Sequence, residues 1–540
     1  MNPTKYRKYL LASLILIGMA FVLCCKKSTA QMKSFILLFS SIATLHAAEI
    51  KPARPNVIIF ITDDESWLER SVYGWSKLPT PNFDRVAREG ALFTRCYTSA
   101  PSCAPSRAAL LTGKNFWELD EGAFIQAYLP ARFNVLPDLM EAGGYFTGYT
   151  GKGYGPALMN GRKRNPAGKA FNTIRRQDPE EGISPIDYVA NFKDFLSEKP
   201  TGKPFYFWCG TLEPHEPWGI DNDQKLLAKY GIGPDAVNVP DFLPDTEGIR
   251  LHRARYLYEI CHLDRALGGL LKVLEDRNEL ANTLLIVTSD NGTPILRSKA
   301  SGYDWGLHEP LAIMWLSRMK GDRRILDFVN FPDFAPTILD AAGLPVPKEM
   351  SGHSFLDVLL SGKSGQVDSS RTWTSGGLEW HGELDPVNKS CRMIRDDRYQ
   401  YIVNYSNGPR MVLLDKERLP DSDYVRTAST ADVSNLLNAY SDHPSVKSFL
   451  PLLVNPPPRE ELYDCEADPF ELKNLADSPE LADVKTRLKA RLETYQRQTK
   501  DPRITGDMTL FNRTRAFVQE RKRQGYKDNQ EIIDDKNRTR

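Results

Sequence analysis

The residues best suited to chemistry sit in a few short stretches. Ser102-Cys103-Ala104-Pro105-Ser106-Arg107 leads into the apolar run Ala108-Ala109-Leu110-Leu111, which ends in Thr112-Gly113. This reads as a helix N-terminus carrying a thiol, where free N–H groups and the positive end of the helix dipole favour an anion. Arg107 adds a planar fork suited to tetrahedral oxyanions. A lone cysteine is more often a small buried hydrophobe, so the weight rests on the fixed spacing of Cys103, Pro105, Ser106 and Arg107. Two buried-strand patterns, Asn56–Thr62 and Thr283–Ser289, end in acidic or amide pairs, Asp63-Asp64 and Asp290-Asn291. In open α/β sheets ligands gather beyond such strand ends. Neighbouring carboxylates repel unless positive charge lies between them, and hard divalent cations take carboxylate and amide oxygens. A helix cap explains one pair but hardly two. No histidine belongs to either pair, which favours calcium, with magnesium as runner-up.

Further cationic and titratable candidates follow other strand patterns. Lys152 lies in Gly151-Lys152-Gly153-Tyr154, after the run Tyr145–Thr150. Glycine on both sides lets the backbone come close while the ammonium meets an anion. His215 stands between Pro214 and Pro217 after the run Phe205–Cys209, a poor place for core packing. Lys299 lies in Arg297-Ser298-Lys299, His308 in Leu307-His308-Glu309-Pro310, and His381 in Glu379-Trp380-His381. Cys261, His262 and Asp264 fall inside a helical apolar pattern over 251–275 and read as helix residues, not ligands.

Cys-x-Pro-Ser-Arg resembles the signature of the formylglycine-dependent (type I) sulfatases, and the other stretches fall in that family's order over about 55–480. The resemblance implies that Cys103 is oxidised to an aldehyde, by a formylglycine-generating or anaerobic sulfatase-maturing enzyme, and that the aldehyde hydrate is the nucleophile. It implies a calcium site made of Asp63, Asp64, Asp290, Asn291 and the group derived from Cys103. Arg107 and Lys152 would orient the nucleophile, Lys152 and Lys299 would hold the sulfate, and His215 would serve the leaving group. His308 and His381 would face the substrate. Tyr154 stands where the family's Gly-Lys-x-His loop has histidine. Either its pKa is depressed, or another group, such as His215 or His308, takes the proton when sulfate leaves.

Asp290-Asn291-Gly292-Thr293-Pro294, Lys299, Glu309-Pro310-Leu311 and Glu379-Trp380-His381 resemble the heparan N-sulfatase-like (sulfamidase) branch. That implies a sulfated polysaccharide or oligosaccharide substrate, carrying N-sulfoglucosamine or sugar O-sulfates, and a basic pocket rim with Arg297 as a candidate. Two rivals are a phosphatase or phosphodiesterase of the same superfold, which would use paired zinc and more histidine than the 8 present, and an unmodified glycan-binding homologue without catalysis.

The elements that must position these residues alternate strand and helix, the mark of an α/β fold. The family likeness implies an alkaline-phosphatase-like sandwich, a large mixed sheet flanked by helices, with a small C-terminal α+β subdomain. At 540 residues the chain exceeds the length at which one core keeps growing. The expected organisation is an export segment over 1–48, a catalytic domain over 49–365, a small-sheet subdomain over 366–500 and a charged tail over 501–540, a solvated helix or disordered end. The first segment holds two tandem charged-then-apolar runs, with Met32 a candidate start, and both runs are short for a membrane span. The lipoprotein alternative rests on Cys24 and Cys25. The expected place is exported, periplasmic or secreted, with no membrane span in the mature chain. A net charge of +1 gives no electrostatic footprint for nucleic acid, and the scattered cysteines lack zinc-site spacing.

Overall fold

The two strands that end in acidic pairs lie side by side. The computed structural model describes residues 54–381, 389–406, 408, 444–524 and 531–532. The export segment falls outside them. Strands β1 (Asn56–Thr62), β2 (Ala91–Tyr97), β3 (Phe146–Gly151), β4 (Ala157–Leu158), β5 (Phe205–Gly210), β6 (Thr283–Ser289), β7 (His308–Met314), β8 (Arg323–Ile325) and β9 (Val329–Asn330) come first in the chain. All but β4 form one sheet of order β3-β5-β1-β6-β7-β2-β8, with β9 beside β2. β1 is parallel to β5 and β6, whereas β7 runs antiparallel to β6 and β2, so the sheet is mixed. In register Thr62 faces Ser289, and Asp63 and Asp290 therefore leave neighbouring strand ends together.

Helices α1 (Pro81–Glu89), α2 (Cys103–Thr112), α3 (Tyr188–Glu198), α4 (Glu247–Asp276) and α5 (Phe334–Ala341) cover this sheet. The alternation along β1 divides the core. Val57, Ile59 and Ile61 pack with Leu110 and Leu111 of α2 and Ile338 of α5, while Ile58 and Phe60 pack with α1, α3 and α4 through Val86, Phe192 and Leu263. A strand buried on both faces must be apolar throughout, which is why β1 reads as an unbroken run. Every residue of α2 is buried, so the helix lacks a polar face and its one charged residue, Arg107, lies inside the protein.

Strands β10 (Trp373–Leu378), β11 (Cys391–Asp396), β12 (Tyr399–Asn404) and β13 (Glu460–Asp464) form the small antiparallel sheet in chain order. Helix α6 (Ala482–Gln498) covers one face, with Leu488 and Leu492 on Ile394, Tyr401 and Leu462. The other face packs Met393 and Ile402 against Tyr97, Leu307 and Phe328. From Arg54 onward the chain is one compact unit, and the stretch Ser361–Gly365 is stitched to β8 through Gly365, which donates to Arg324 O and accepts from Leu326 N.

The tail is helical, in keeping with one of the two readings of its composition, but one side of the helix is buried, unlike a solvated helix. Helix α7 (Thr509–Arg523) buries Phe511 and Val518, with Phe511 edge-on to Phe124 at 5.2 Å, and Asp501 accepts from Arg392 Nε at 2.7 Å with both side chains fully buried. The charges that dominate this segment hid an apolar stripe of two residues, seven apart. The six described cysteines are all free thiols. No described helix is long and apolar enough to cross a membrane.

Candidate active site

Cys103 is the first residue of α2, and Ser102 before it is the extended N-cap. Cys103 Sγ lies 3.5 Å from Asp63 Oδ1 and 3.9 Å from Asp64 Oδ1, and ligand atoms of Asp63, Cys103 and Asp290 all fall within 4.8 Å of one another. Asp64 adopts a left-handed backbone, φ 76°, a strain that persists only where the surroundings enforce it. There its N–H donates to Asp290 Oδ1 at 3.1 Å. Asn291 Nδ2 donates to Asp64 Oδ1 at 2.7 Å, which leaves Asn291 Oδ1 buried without a donor. Three buried carboxylates and an orphaned amide oxygen form a donor set that fits a hard cation.

The charges point the same way. Burial pushes the Asp290 carboxyl up to about 6, opposed by Arg107 and reinforced by the charge of Asp63. Burial also acts upward on Asp63, but Lys152, His215, Arg107 and Lys299 outweigh it and hold this carboxyl well below the usual range. Close carboxylates of this kind do not both ionise freely without more positive charge. The Cys103 thiol is pushed up by burial, against the pull of Lys152 and Lys299. Since the thiolate is the reactive form, unmodified Cys103 is a poor nucleophile near neutrality.

The cations converge on these acids. Lys152 Nζ lies 2.5 Å from Asp63 Oδ2, and Lys299 Nζ lies 2.5 Å from Asp64 Oδ2. Arg107 donates from Nε to Asp290 Oδ2 at 2.7 Å and from Nη1 to the carbonyls of Lys152 and Gly153 at 2.8 and 3.2 Å. It thus ties the α2 helix to the ends of β6 and β3. The Lys152 turn is close to β5: a Cβ on Gly210 would sit 1.9 Å from Lys152 O, so only glycine allows Lys152 N to reach Gly210 O at 2.7 Å. His215 is 3.7 Å from Asp64 Oδ2 through Nε2, and its Nδ1 meets Glu216 O at 2.6 Å. That carbonyl only accepts, so Nδ1 carries hydrogen and Nε2 is the nitrogen that faces Asp64. Asp63, Asp64, Cys103, Arg107, Lys152, His215, Asp290, Asn291 and Lys299 therefore come together.

Other residues take different places. Tyr154 is buried, its hydroxyl has no hydrogen-bond partner, and burial pushes its pKa up. Tyr154 sits in the apolar core, where the charged form loses solvation, so its surroundings act against a depressed pKa. His308 is stacked between Trp67 and Tyr97. Its Nδ1 meets Asp304 Oδ2 at 3.0 Å and its Nε2 meets Thr94 O at 2.9 Å, so neither ring nitrogen is available to a substrate. Arg297, read as a rim residue, is buried, donates to Glu471 O and lies 3.7 Å over the Tyr303 ring. His381 does reach the residue before Cys103: its Nδ1 is 2.8 Å from Ser102 Oγ.

Three supports carry no sequence signal of their own. Tyr256 donates to Asp64 O at 3.0 Å. Glu65 and Arg70 form a fully buried pair. Glu379, two residues before His381, accepts from Arg392, Arg503 and Arg515, which fastens the segment carrying His381 to the C-terminal tail. An arginine that partners an acid more than a hundred residues away shows no periodicity or motif to read.

The likeness to known proteins agrees with this geometry. The sulfatase family matches residues 55–344, more than half of the chain, and the family described as N-sulphoglucosamine sulphohydrolase, C-terminal, matches residues 298–439. An ulvan-active sulfatase of Formosa agariphila is 26% identical over 92% of this chain and 83% of its own length. The human N-sulphoglucosamine sulphohydrolase is 27% identical over 83% of this chain and 91% of its own. A protein solved with its substrate D-glucosamine-2-N,6-O-disulfate shares the fold at TM-score 0.58 and 20% identity, over 83% of this chain and 98% of that one. The phosphonate monoester hydrolase of Agrobacterium radiobacter also shares it, at TM-score 0.58 and 19% identity, over 83% and 96%. The acid-and-lysine cluster around Cys103 is thus set in a chain that belongs to the sulfatase family, nearest its sulfamidase-like branch, and the protein is a sulfatase.

Proposed function

We propose that this enzyme hydrolyses sulfate esters or sulfamates on a sulfated polysaccharide or its oligosaccharides, through formylglycine formed at Cys103 and with calcium as its metal. The observation that carries the reading is the enclosure of Cys103 by Asp63, Asp64 and Asp290 with Lys152 and Lys299 on the outer oxygens. Asp63, Asp64, Asp290 and Asn291 would hold the metal, which supplies charge stabilisation for sulfate oxygens. Lys152 and Lys299 neutralise the sulfate and are fixed beforehand by their carboxylates, so little reorganisation is needed as charge shifts. Arg107 keeps the nucleophile helix in register with both strand ends. His215 Nε2 donates a proton to the bridging oxygen or nitrogen as its bond to sulfur breaks. With Tyr154 held neutral and His308 engaged at both nitrogens, His215 also takes the proton when sulfate is released. Covalent catalysis through Cys103 divides one difficult hydrolysis into two steps.

The carbohydrate assignment draws on the named activities of the ulvan-active and N-sulphoglucosamine relatives. The phosphonate hydrolase neighbour keeps phosphoryl transfer as a second reading; the Asp63–Cys103–Asp290 group contains no histidine, which disfavours a paired-zinc site. Free sulfate release should be assayed on defined heparin, chondroitin and algal oligosaccharides beside a small aryl sulfate and a phosphonate monoester. Turnover of at least one glycan is expected. Rapid turnover of the aryl sulfate with none of the glycans would remove the carbohydrate assignment, and preference for the phosphonate would remove the sulfatase chemistry.

A further inference from the structure

His262 lies in α4, is 5% exposed, and has a guanidinium aimed at each ring nitrogen. Arg176 Nη1 is 3.0 Å from Nε2, and Arg265 Nη2 is 3.1 Å from Nδ1. A guanidinium offers only N–H donors, and a neutral imidazole has one acceptor nitrogen and one N–H. At most one of these contacts is a hydrogen bond. The other sets donor against donor, and protonating the ring would make both repulsive. Burial, together with the two guanidinium charges, holds the imidazole down to about 4 against the pull of Glu213 and Glu180, so the ring is neutral in the working range. Among the described residues no carboxylate pairs with either arginine. Arg265 donates to the Tyr230 hydroxyl and lies over the Tyr258 ring, and Arg176 has its backbone N–H on Pro185 O.

The cluster is built onto the catalytic scaffold. The segment carrying Arg176 hangs from Glu213, two residues before His215: Ser184 N donates to one carboxylate oxygen and Tyr188 Oη to the other, each at 2.7 Å. Helix α4, which carries His262 and Arg265, also supplies Tyr256 to the Asp64 carbonyl. An oxyanion seated against the imidazole N–H and the guanidinium that faces it accepts from both donors, with the second guanidinium adding its charge, which relieves the donor conflict. We propose that Arg176, His262 and Arg265 form an accessory anion subsite that takes a second acidic group, sulfate or carboxylate, of a glycan engaged at Cys103. This rests on the sulfated-glycan reading above.

The matured enzyme and its Arg176→Ala, Arg265→Ala and Arg265→Lys variants would be assayed on a monosulfated monosaccharide and on tetrasaccharides with or without neighbouring sulfates and uronate carboxylates. Arg265 is exposed, so its truncation leaves the core intact. The expected result is a KM on the fully charged tetrasaccharide raised about tenfold by either alanine, kcat within about twofold, unchanged constants on the monosaccharide, and partial recovery with lysine. Loss of the effect with the partly desulfated or the carboxyl-reduced tetrasaccharide tells which group is held. Unchanged KM in both alanine variants overturns the subsite. Titration of inorganic sulfate into wild-type protein, read on the His262 imidazole resonances, tests it even if no glycan is turned over: a saturable shift lost in Arg176→Ala is expected, and resonances indifferent to sulfate overturn it.

Discussion

Ser102 Oγ lies 2.8 Å from His381 Nδ1, which joins the cap of the nucleophile helix to the segment leaving β10. The Ser102 hydroxyl makes no helix-cap bond; its partner is the histidine instead. The segment that leaves β10 therefore reaches the N-cap of α2, beside Cys103. Substituting His381→Ala is expected to raise KM about tenfold while kcat falls less, because on the proposed assignment the group would border the substrate, and its partner is Ser102 and not the acids around Cys103. Steady-state kinetics on the turned-over glycan checks this. A fall in kcat with KM unchanged would move His381 into the chemical step.

Metal removal should be visible in stability. A ligand that binds only the folded state raises its stability by mass action, and here it would also relieve the crowding of Asp63 and Asp290. Chelation is expected to lower Tm, calcium to restore it, and Asp290→Ala to abolish the response. Differential scanning calorimetry with metal analysis reads both. Stoichiometric zinc in the purified enzyme would contradict the oxygen-only donor set.

Tyr154→Phe is expected to leave kcat within about twofold and Tm unchanged or higher, since the hydroxyl removed is buried without a partner and such groups cost free energy. A loss of turnover of a hundredfold or more would restore Tyr154 to the chemistry.

Glu471 carries a pH dependence unrelated to catalysis. Burial, then the charge of Asp304, raises its carboxyl from 4.5 to about 8, against the Asp304 N–H and Arg297. The folded state therefore holds a proton that the unfolded state releases, and stability falls as pH rises from about 4.5 through 8. Glu471→Gln keeps the acceptor for Asp304 N, at 2.8 Å in the native protein, and removes the titration. Its Tm should decline less than that of the wild type between pH 5 and 8, and parallel declines would refute the assignment.

The parts of the site legible in the sequence are those whose chemistry is local. Asp63-Asp64 and Asp290-Asn291 announce themselves because each closes an apolar strand, and parallel register brings the two ends together. Cys103 and Arg107 share one helix turn, and Lys152 is marked by flanking glycines. His308 misled because a histidine at a strand start reads the same whether it faces a cavity or lies between two aromatic rings. Arg297 misled because its partners, Glu471 and Tyr303, come from a long-range contact and a turn. The tail misled because two apolar residues, Phe511 and Val518, decide its packing while charges dominate its composition.

The most direct test of the central claim is the intact mass of the Cys103 peptide from enzyme made in its native host. The expected result is a peptide lighter than the cysteine form by the difference between a thiol and an aldehyde, that reacts with a carbonyl reagent and is lost in Cys103→Ala. A peptide of unmodified cysteine mass in fully active enzyme would contradict it, because the buried Cys103 thiol would then have to act with its pKa pushed away from neutrality.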